Sequence, residues 1–198
     1  MDGYLLGLIW GIGSYSESRI TFRHKDKCFI DYVAKQYGIT PYQQFSRTNV
    51  QWTAKTHKVN IDELIALGWT PRNANERHLP KIDGLNDFLR AYMEIHSRLD
   101  CCPAYKRKRP KGGKYYKLRL RIYGNNILLS EIAEYFSHNI HSQVSAIEKT
   151  CVEKSGILNY TKYNDIQEIL NLISGTPHHK KFWLMADQMM RLPVKNSK

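Results

Sequence analysis

Basic residues recur at every second position in two separate stretches of this chain: Arg19, Thr21 and Arg23 in one, Lys117, Arg119 and Arg121 in the other. Apolar residues fill the gaps, Ile20 and Phe22 in the first and Leu118, Leu120 and Ile122 in the second. Side chains of a strand alternate between its faces, so each stretch presents a hydrogen-bonding, cationic face with charges about 7 Å apart and an apolar face for packing. A two-stranded ribbon of this kind fits the major groove of duplex DNA, where arginine bonds bidentately to guanine. Arg19, Arg23, Arg119 and Arg121 are therefore the candidates for base contact, with Thr21 and Lys117 beside them. Just before the second stretch lies a basic run containing Lys106, Arg107, Lys108, Arg109, Lys111 and Lys114, with Pro110, Gly112 and Gly113 among them. Cations in such a turn suit phosphates, which set affinity and its salt dependence. The alternative is an edge strand defended against aggregation by lysine and arginine. Single-stranded nucleic acid is a rival ligand, since Tyr105, Tyr115, Tyr116 and Trp52 could stack bases. The ladders themselves lack the interleaved aromatics of a stacking platform.

Catalytic chemistry is more sparsely provided. Glu17, Glu94, Asp100 and His96 fall near the ends of two apolar helical stretches, and Glu94 and His96 are the candidates for a catalytic role. His96 could act as a general base or a ligand, or sit in an interface with no chemical part. His57, His138, His141, His178 and His179 have no acidic or cysteine partner at ligand spacing, so no metal site is predicted. The four cysteines, Cys28, Cys101, Cys102 and Cys151, show no C-x-x-C spacing. That pattern favours buried thiols in a reduced, cytoplasmic protein over zinc or disulfides, and a duplex DNA partner there would make it nucleoid-associated. No phosphate-binding glycine loop is present, and no nucleotide cofactor is implied.

The positioning elements follow from periodicity. Residues 4–14 and 88–97 are apolar helices, the first with Gly7 and Gly11 four apart, the second with Ala91 near its start. Small residues at that spacing let two helix backbones approach closely, which predicts a central helix pair with Gly7, Gly11 and Ala91 at its interface. Each helix runs into strand alternation. Residues 26–37 form a helix stopped by Gly38, strands follow near 42–47 and 50–57, and a short helix covers 62–67. Residues 70–83, with Pro71 and Pro80, read as a linker running over the surface. A hairpin follows the second apolar helix, with strands near 99–105 and 115–122. Next come a helix over 125–136, strands near 143–151 and 156–160, a helix over 165–173, and a last helix within 177–191. Before its next helix the first half has room for little more than one strand, residues 14–17 supplying at most a stub of another.

The recurrence of helix, strands and helix is the signature of a duplicated unit. Residues 5–14 and 89–97 resemble the two signature helices of the LAGLIDADG homing endonucleases in their single-chain, two-repeat form. The resemblance implies an α/β fold of the α+β kind. Two pseudo-symmetric αββαββα repeats would pack through their signature helices, the first with a shortened hairpin, and a C-terminal helix would follow. It divides the chain into a first repeat (residues 1–69), a linker (70–83), a second repeat (84–175) and a C-terminal helix and tail (176–198). It also implies a duplex DNA partner and, in active members, an acid near the foot of each signature helix that binds the divalent metal used for cleavage. Those positions align with Ile12 and His96, and the preceding acidic positions with Trp10 and Glu94. Isoleucine ligates nothing, and imidazole suits Mg²⁺ poorly.

Composition agrees with a polyanionic partner: 198 residues carry a net charge of +12, with a pI near 9.5, an excess that repels itself unless a polyanion neutralises it. No apolar run is long enough to span a bilayer, and the first residues lack the basic region and cleavage site of a secretory signal. The expectation is a monomeric, sequence-specific double-stranded DNA-binding protein with a lost or disabled cleavage site and no cofactor, serving as a regulator in a bacterium or mobile element. Its site would be asymmetric and about two helical turns long. An active or nicking endonuclease with an atypical Mg²⁺ site is the alternative, and a protein-interaction module reusing the fold is a third reading. Salt-dependent duplex binding and metal-dependent nicking separate the three.

Overall fold

Asp2 caps the first helix by accepting the backbone N–H of Tyr4 at 3.2 Å, and α1 (Gly3–Ile12) is then buried from Gly3 to Trp10. A helix apolar on every side can only be a core element. The computed structural model describes residues 1–45, 49–71, 74–104, 115–140, 142–143, 145–176 and 178–191. After α1, β1 (Gly13–Ser16) turns into β2 (Arg19–His24) through Glu17 and Ser18, both left-handed at φ 51° and 58°. Such a two-residue turn matches the twist of the strands it joins. The register pairs Gly13 with Phe22 and Ser16 with Arg19, so β1 is paired along its whole length. The first half thus holds a short but complete hairpin, where a single strand and a stub were expected.

The chain continues as α2 (Lys27–Tyr37), β3 (Tyr42–Phe45), β4 (Val50–Thr56), α3 (Ile61–Ala66) and a 3₁₀ turn at Ala74–Glu76. Asp26 caps α2 and Gly38 ends it in the left-handed conformation at φ 61°, where a residue without Cβ is least strained. The second half repeats the order: α4 (Leu85–His96), β5 (Ser97–Ala104), β6 (Tyr115–Asn125), α5 (Asn126–Asn139), β7 (Ile147–Lys149), β8 (Ser155–Tyr160) and α6 (Tyr163–Leu172), followed by α7 (Lys180–Met190). Both sheets are antiparallel and share one topology, β1-β2-β4-β3 and β5-β6-β8-β7. This is an α+β fold of two αββαββα repeats. The hairpins differ in length: 4 and 6 residues in the first, 8 and 11 in the second.

Packing divides the chain differently from its repeats. One compact unit holds residues 1–95 with 175–179, and the other holds residues 96–174 with the chain from 180. In the first unit α4 lies against α1. A Cβ added at Gly7 would sit 2.7 Å from the Ala91 Cβ and closer still to the Phe88 carbonyl oxygen, while one at Gly3 would strike the carbonyl of Gly84. Gly7 and Ala91 therefore meet as their spacing predicts. Gly3 and Gly84 form a second close approach, whereas Gly11 is half-buried near the end of α1. Under the first sheet Ile20, Phe22 and Ala54 pack with Phe29, Ile30 and Val33 of α2. In the second unit Leu118, Leu120, Ile122 and Leu158 are buried with Leu129, Ile132 and Phe136 of α5. Phe182 and Ala186 are the buried positions of α7.

Residues 70–83 do more than cross the surface. Arg77 is 7% exposed and donates to the Trp10 carbonyl at 2.5 Å and the Gly13 carbonyl at 3.2 Å. Trp10 Nε1 in turn donates to the His78 carbonyl at 2.8 Å. The thiols are less buried than expected: Cys28 and Cys101 are half-exposed and Cys151 is exposed, with no disulfide among them.

Candidate nucleic-acid interface

Directly opposed residues of an antiparallel pair share a face, so the register assigns the face of the first sheet turned away from α2. On it lie Arg19, Thr21 and Arg23 of β2, Ser14 and Ser16 of β1, Lys55 and Gln51 of β4, and Gln44 of β3. Arg19, Arg23, Lys55 and Gln44 are exposed. Thr21, assigned above to the contact set, is 3% exposed, flanked by Ser14 and Lys55. Its side chain presents almost no surface to solvent. Thr53 Oγ1 donates to Gln44 Oε1 at 3.4 Å, and Gln44 faces Gln51 across the strands. Sequence reasoning missed Lys55, Gln44 and Gln51 because only the pairing register brings them beside the β2 ladder. Trp52, considered as a base-stacking platform, lies on the opposite face with Lys27 Nζ 4.9 Å from its ring centroid.

The second sheet carries Lys117, Arg119, Arg121 and Tyr123 of β6 on one face, opposite Asp100 and Arg98 of β5 and Asn159 of β8. Asp100 stands across from Arg119 and Arg98 across from Arg121. Arg119 meets the Asp100 carboxylate side-on, Nε to Oδ1 at 3.1 Å and Nη2 to Oδ2 at 3.4 Å. Arg121 Nη2 donates to the same Oδ2, and Arg98 Nε lies 3.6 Å from it. Burial pushes the Asp100 carboxyl up, but the hydrogen bonds from Arg119 and Arg121 outweigh it and hold it below the usual carboxylate range. The sequence places Asp100 near a helix foot; in the fold its carboxylate is the anion on which Arg119, Arg121 and Arg98 converge. Lys106, Arg107, Lys108, Arg109, Lys111 and Lys114, read as phosphate contacts, lie outside the described residues, as do Tyr105 and His141.

The helix feet are poorly furnished for metal chemistry. Ile12 closes α1 without a donor atom in its side chain, and the Arg77 guanidinium bonds to carbonyls on either side of it in sequence. Burial lowers the Arg77 pKa to about 10, so it remains a cation at neutral pH. Glu94, a candidate above, is 4% exposed. Its Oε2 accepts the Tyr4 hydroxyl at 2.5 Å and the His179 backbone N–H at 3.1 Å. That places it in the packing of the first unit. Among the described residues no three His, Cys, Asp or Glu side chains converge to hold a metal ion. Ile12 at one foot and His96 at the other supply no hard oxygen ligand of the kind Mg²⁺ demands.

His178 and His179 gain in three dimensions the partners that their sequence spacing lacks. His179 Nε2 lies 3.0 Å from Asp26 Oδ2. Burial raises the Asp26 pKa, but hydrogen bonds from Cys28 and the His179 pairing bring it below its ordinary value. The His178 ring sits 4.4 Å from the rings of both Tyr4 and Tyr32, and His24 Nδ1 accepts the Asp26 backbone N–H at 3.0 Å. Burial lowers the pKa of His24 and of His178 below 6.5. Between those folded values and the ordinary one the unfolded chain binds more protons, so stability falls as pH drops through that window. The melting temperature should accordingly decline from pH 7 to pH 5.5. Substituting His24→Gln together with His178→Phe should flatten the decline; an unaltered slope would contradict the assignment.

This architecture is shared with solved structures: it is the fold of the LAGLIDADG homing endonucleases. The LAGLIDADG meganuclease I-AabMI, solved bound to uncleaved DNA, matches with a TM-score of 0.60 at 12% identity, over 96% of this chain and 91% of that one. The I-LtrWI LAGLIDADG homing endonuclease, solved on its target DNA, gives 0.60 at 12% identity over 94% and 89%. The meganuclease I-CpaMI, bound to uncleaved DNA, gives 0.61 at 9% identity over 94% and 90%. No protein-family model and no curated protein matches the sequence itself. Among the described residues, no helix is long and apolar enough to cross a membrane.

Proposed function

We propose that this chain is a sequence-specific double-stranded DNA-binding protein that has the homing-endonuclease fold but a disabled cleavage site, acting as a monomer in a regulatory role in a bacterium or mobile element. The observation that carries the reading is the pair of sheets of one topology, each turning arginine and lysine to the face away from its helices. The net charge of +12 supplies the long-range attraction to a polyanion. The solved neighbours named above carry DNA, which supports duplex over single strand. Loss of cutting is supported by the donorless Ile12 and by the Arg77 cation bonded to the carbonyls around it.

The test is selection of bound duplexes from a random pool, a footprint on the winner, and incubation of supercoiled plasmid carrying it with Mg²⁺ or Mn²⁺. Log affinity should fall linearly with log salt, with a slope of about 0.9 per phosphate neutralised. A clear footprint on intact plasmid is the expected result. Single-strand breaks abolished by His96→Ala would instead make the chain an endonuclease that kept one half of its chemistry. Binding without salt dependence or base preference would favour a protein-interaction module.

A further inference from the structure

We propose that Asp100 is a positioning residue for base recognition: it aims Arg119 and Arg121 together, so that the second sheet selects neighbouring guanines. The inference rests on the duplex-binding reading above and deepens it.

An acid on a face that meets DNA is a liability, because it stands among phosphates of its own sign. Asp100 nevertheless occupies the strand position directly across from Arg119. In the corresponding pairing of the first sheet, the β2 arginine Arg19 faces Ser16 of β1 instead. Three arginines reach the one carboxylate, Arg119 through two nitrogens, Arg121 through Nη2 and Arg98 at 3.6 Å. The carboxylate is partly shielded, with Asp100 and Arg121 side chains each 19% exposed and Arg119 33% exposed, whereas Arg98 remains 66% exposed. Arg121 also lies 5.8 Å from the Tyr123 ring centroid.

What this arrangement supplies is orientation. Arginine is a long, rotamer-rich side chain, and freezing it on binding is costly. A guanidinium already held by one edge of its plane has a defined direction for the rest of its donors, and guanine is recognised through a fixed fork of two N–H groups. Arg119 and Arg121 are two residues apart on one strand, about 7 Å, which spans two base-pair steps of duplex. Held by one carboxylate, they address bases as a pair. A carboxylate serving strand stability alone would change unfolding and leave the base profile as it was. The two roles separate in what a charge-removing substitution changes.

Asp100→Asn keeps the shape and one acceptor oxygen but releases the arginines. In the selection described above it should lower the guanine preference at two positions within two base pairs of each other by about tenfold or more. The same substitution should raise affinity for random-sequence duplex, because an anion has left the face. Asp100→Glu keeps the charge and moves the arginines by one methylene. It should lose the same preference with no change in salt slope, and it serves as the test if the asparagine variant does not fold. Binding with an unchanged base profile in either folded variant would overturn the role given to Asp100. Failure of the unaltered chain to bind any duplex would overturn the reading beneath it as well, so the two failures are distinguishable.

Discussion

Replacing Gly7 by leucine should destabilise the first unit by about 3 kcal/mol, the upper end of the cost of overpacking a tight contact. The reason lies in what a side chain there would meet. A Cβ would lie 2.7 Å from the Ala91 Cβ and nearer to the Phe88 carbonyl oxygen. Neither is the tip of a flexible side chain that can swing away, so α1 and α4 must separate. Separation would disturb the rows on both sides, including Gly3 against Gly84 and the bond from Tyr4 to Glu94. Gly7→Ala should show a smaller loss, and adding Ala91→Gly should recover part of it by removing one of the two obstacles. Urea unfolding of the three variants measures the series. A midpoint for Gly7→Leu equal to that of the unaltered chain would eliminate the close helix pair.

The second large effect is expected at Arg77. Its guanidinium bonds to the carbonyls of Trp10, Gly13 and Thr70 and lies 4.8 Å from the Trp69 ring centroid. Helix ends leave carbonyl oxygens without intrahelical donors and carry partial negative charge. Arg77 satisfies one such group at the end of α1. Arg77→Met fills similar space but leaves buried acceptors without their donor, at about 1–3 kcal/mol for each group stranded; the sum should be roughly 3 kcal/mol. Arg77→Lys keeps the charge but is a point donor that cannot span several carbonyls at once, so it should recover only part of the loss. Thermal melts compare the two, and a methionine variant as stable as the unaltered chain would refute the bridge.

Both predictions bear on function through the same element. α1 leads directly into β1, whose partner β2 carries Arg19 and Arg23. A displaced α1 therefore disturbs the first basic face without any change to its residues. On the proposed reading, Gly7→Leu and Arg77→Met should weaken duplex binding as well as folding, and a binding loss with normal melting would point elsewhere.

Much of the architecture is legible in local pattern. Alternation of arginine with isoleucine, phenylalanine or leucine is enough to define strands and their two faces, because the period of a strand is a property of the backbone. Asp26 and Gly38 bracket a helix for equally local reasons, a side-chain acceptor at one end and a residue tolerant of positive φ at the other. The duplication is visible because each half must satisfy the same backbone plan. Gly7 and Ala91 announce a close helix contact because each lacks the bulk to prevent it.

What the tertiary structure alone decided is which groups meet across long separations. Asp100 and Arg119 stand 19 residues apart, Trp10 and Arg77 stand 67 apart, and Glu94 and His179 stand 85 apart. No periodicity relates such pairs, and their partners are chosen by strand register and by the shape of the packed core. Register brought Lys55, Gln44 and Gln51 onto the first basic face and set the buried Thr21 between Ser14 and Lys55. Packing withdrew Glu94 from the surface and put Arg77 at the foot of α1. The sequence by itself determined the elements, their faces and their repetition, because these follow from residue spacing along one backbone. The ion pairs and buried bonds that tune those faces were left to the folded chain, because each depends on bringing two distant segments together.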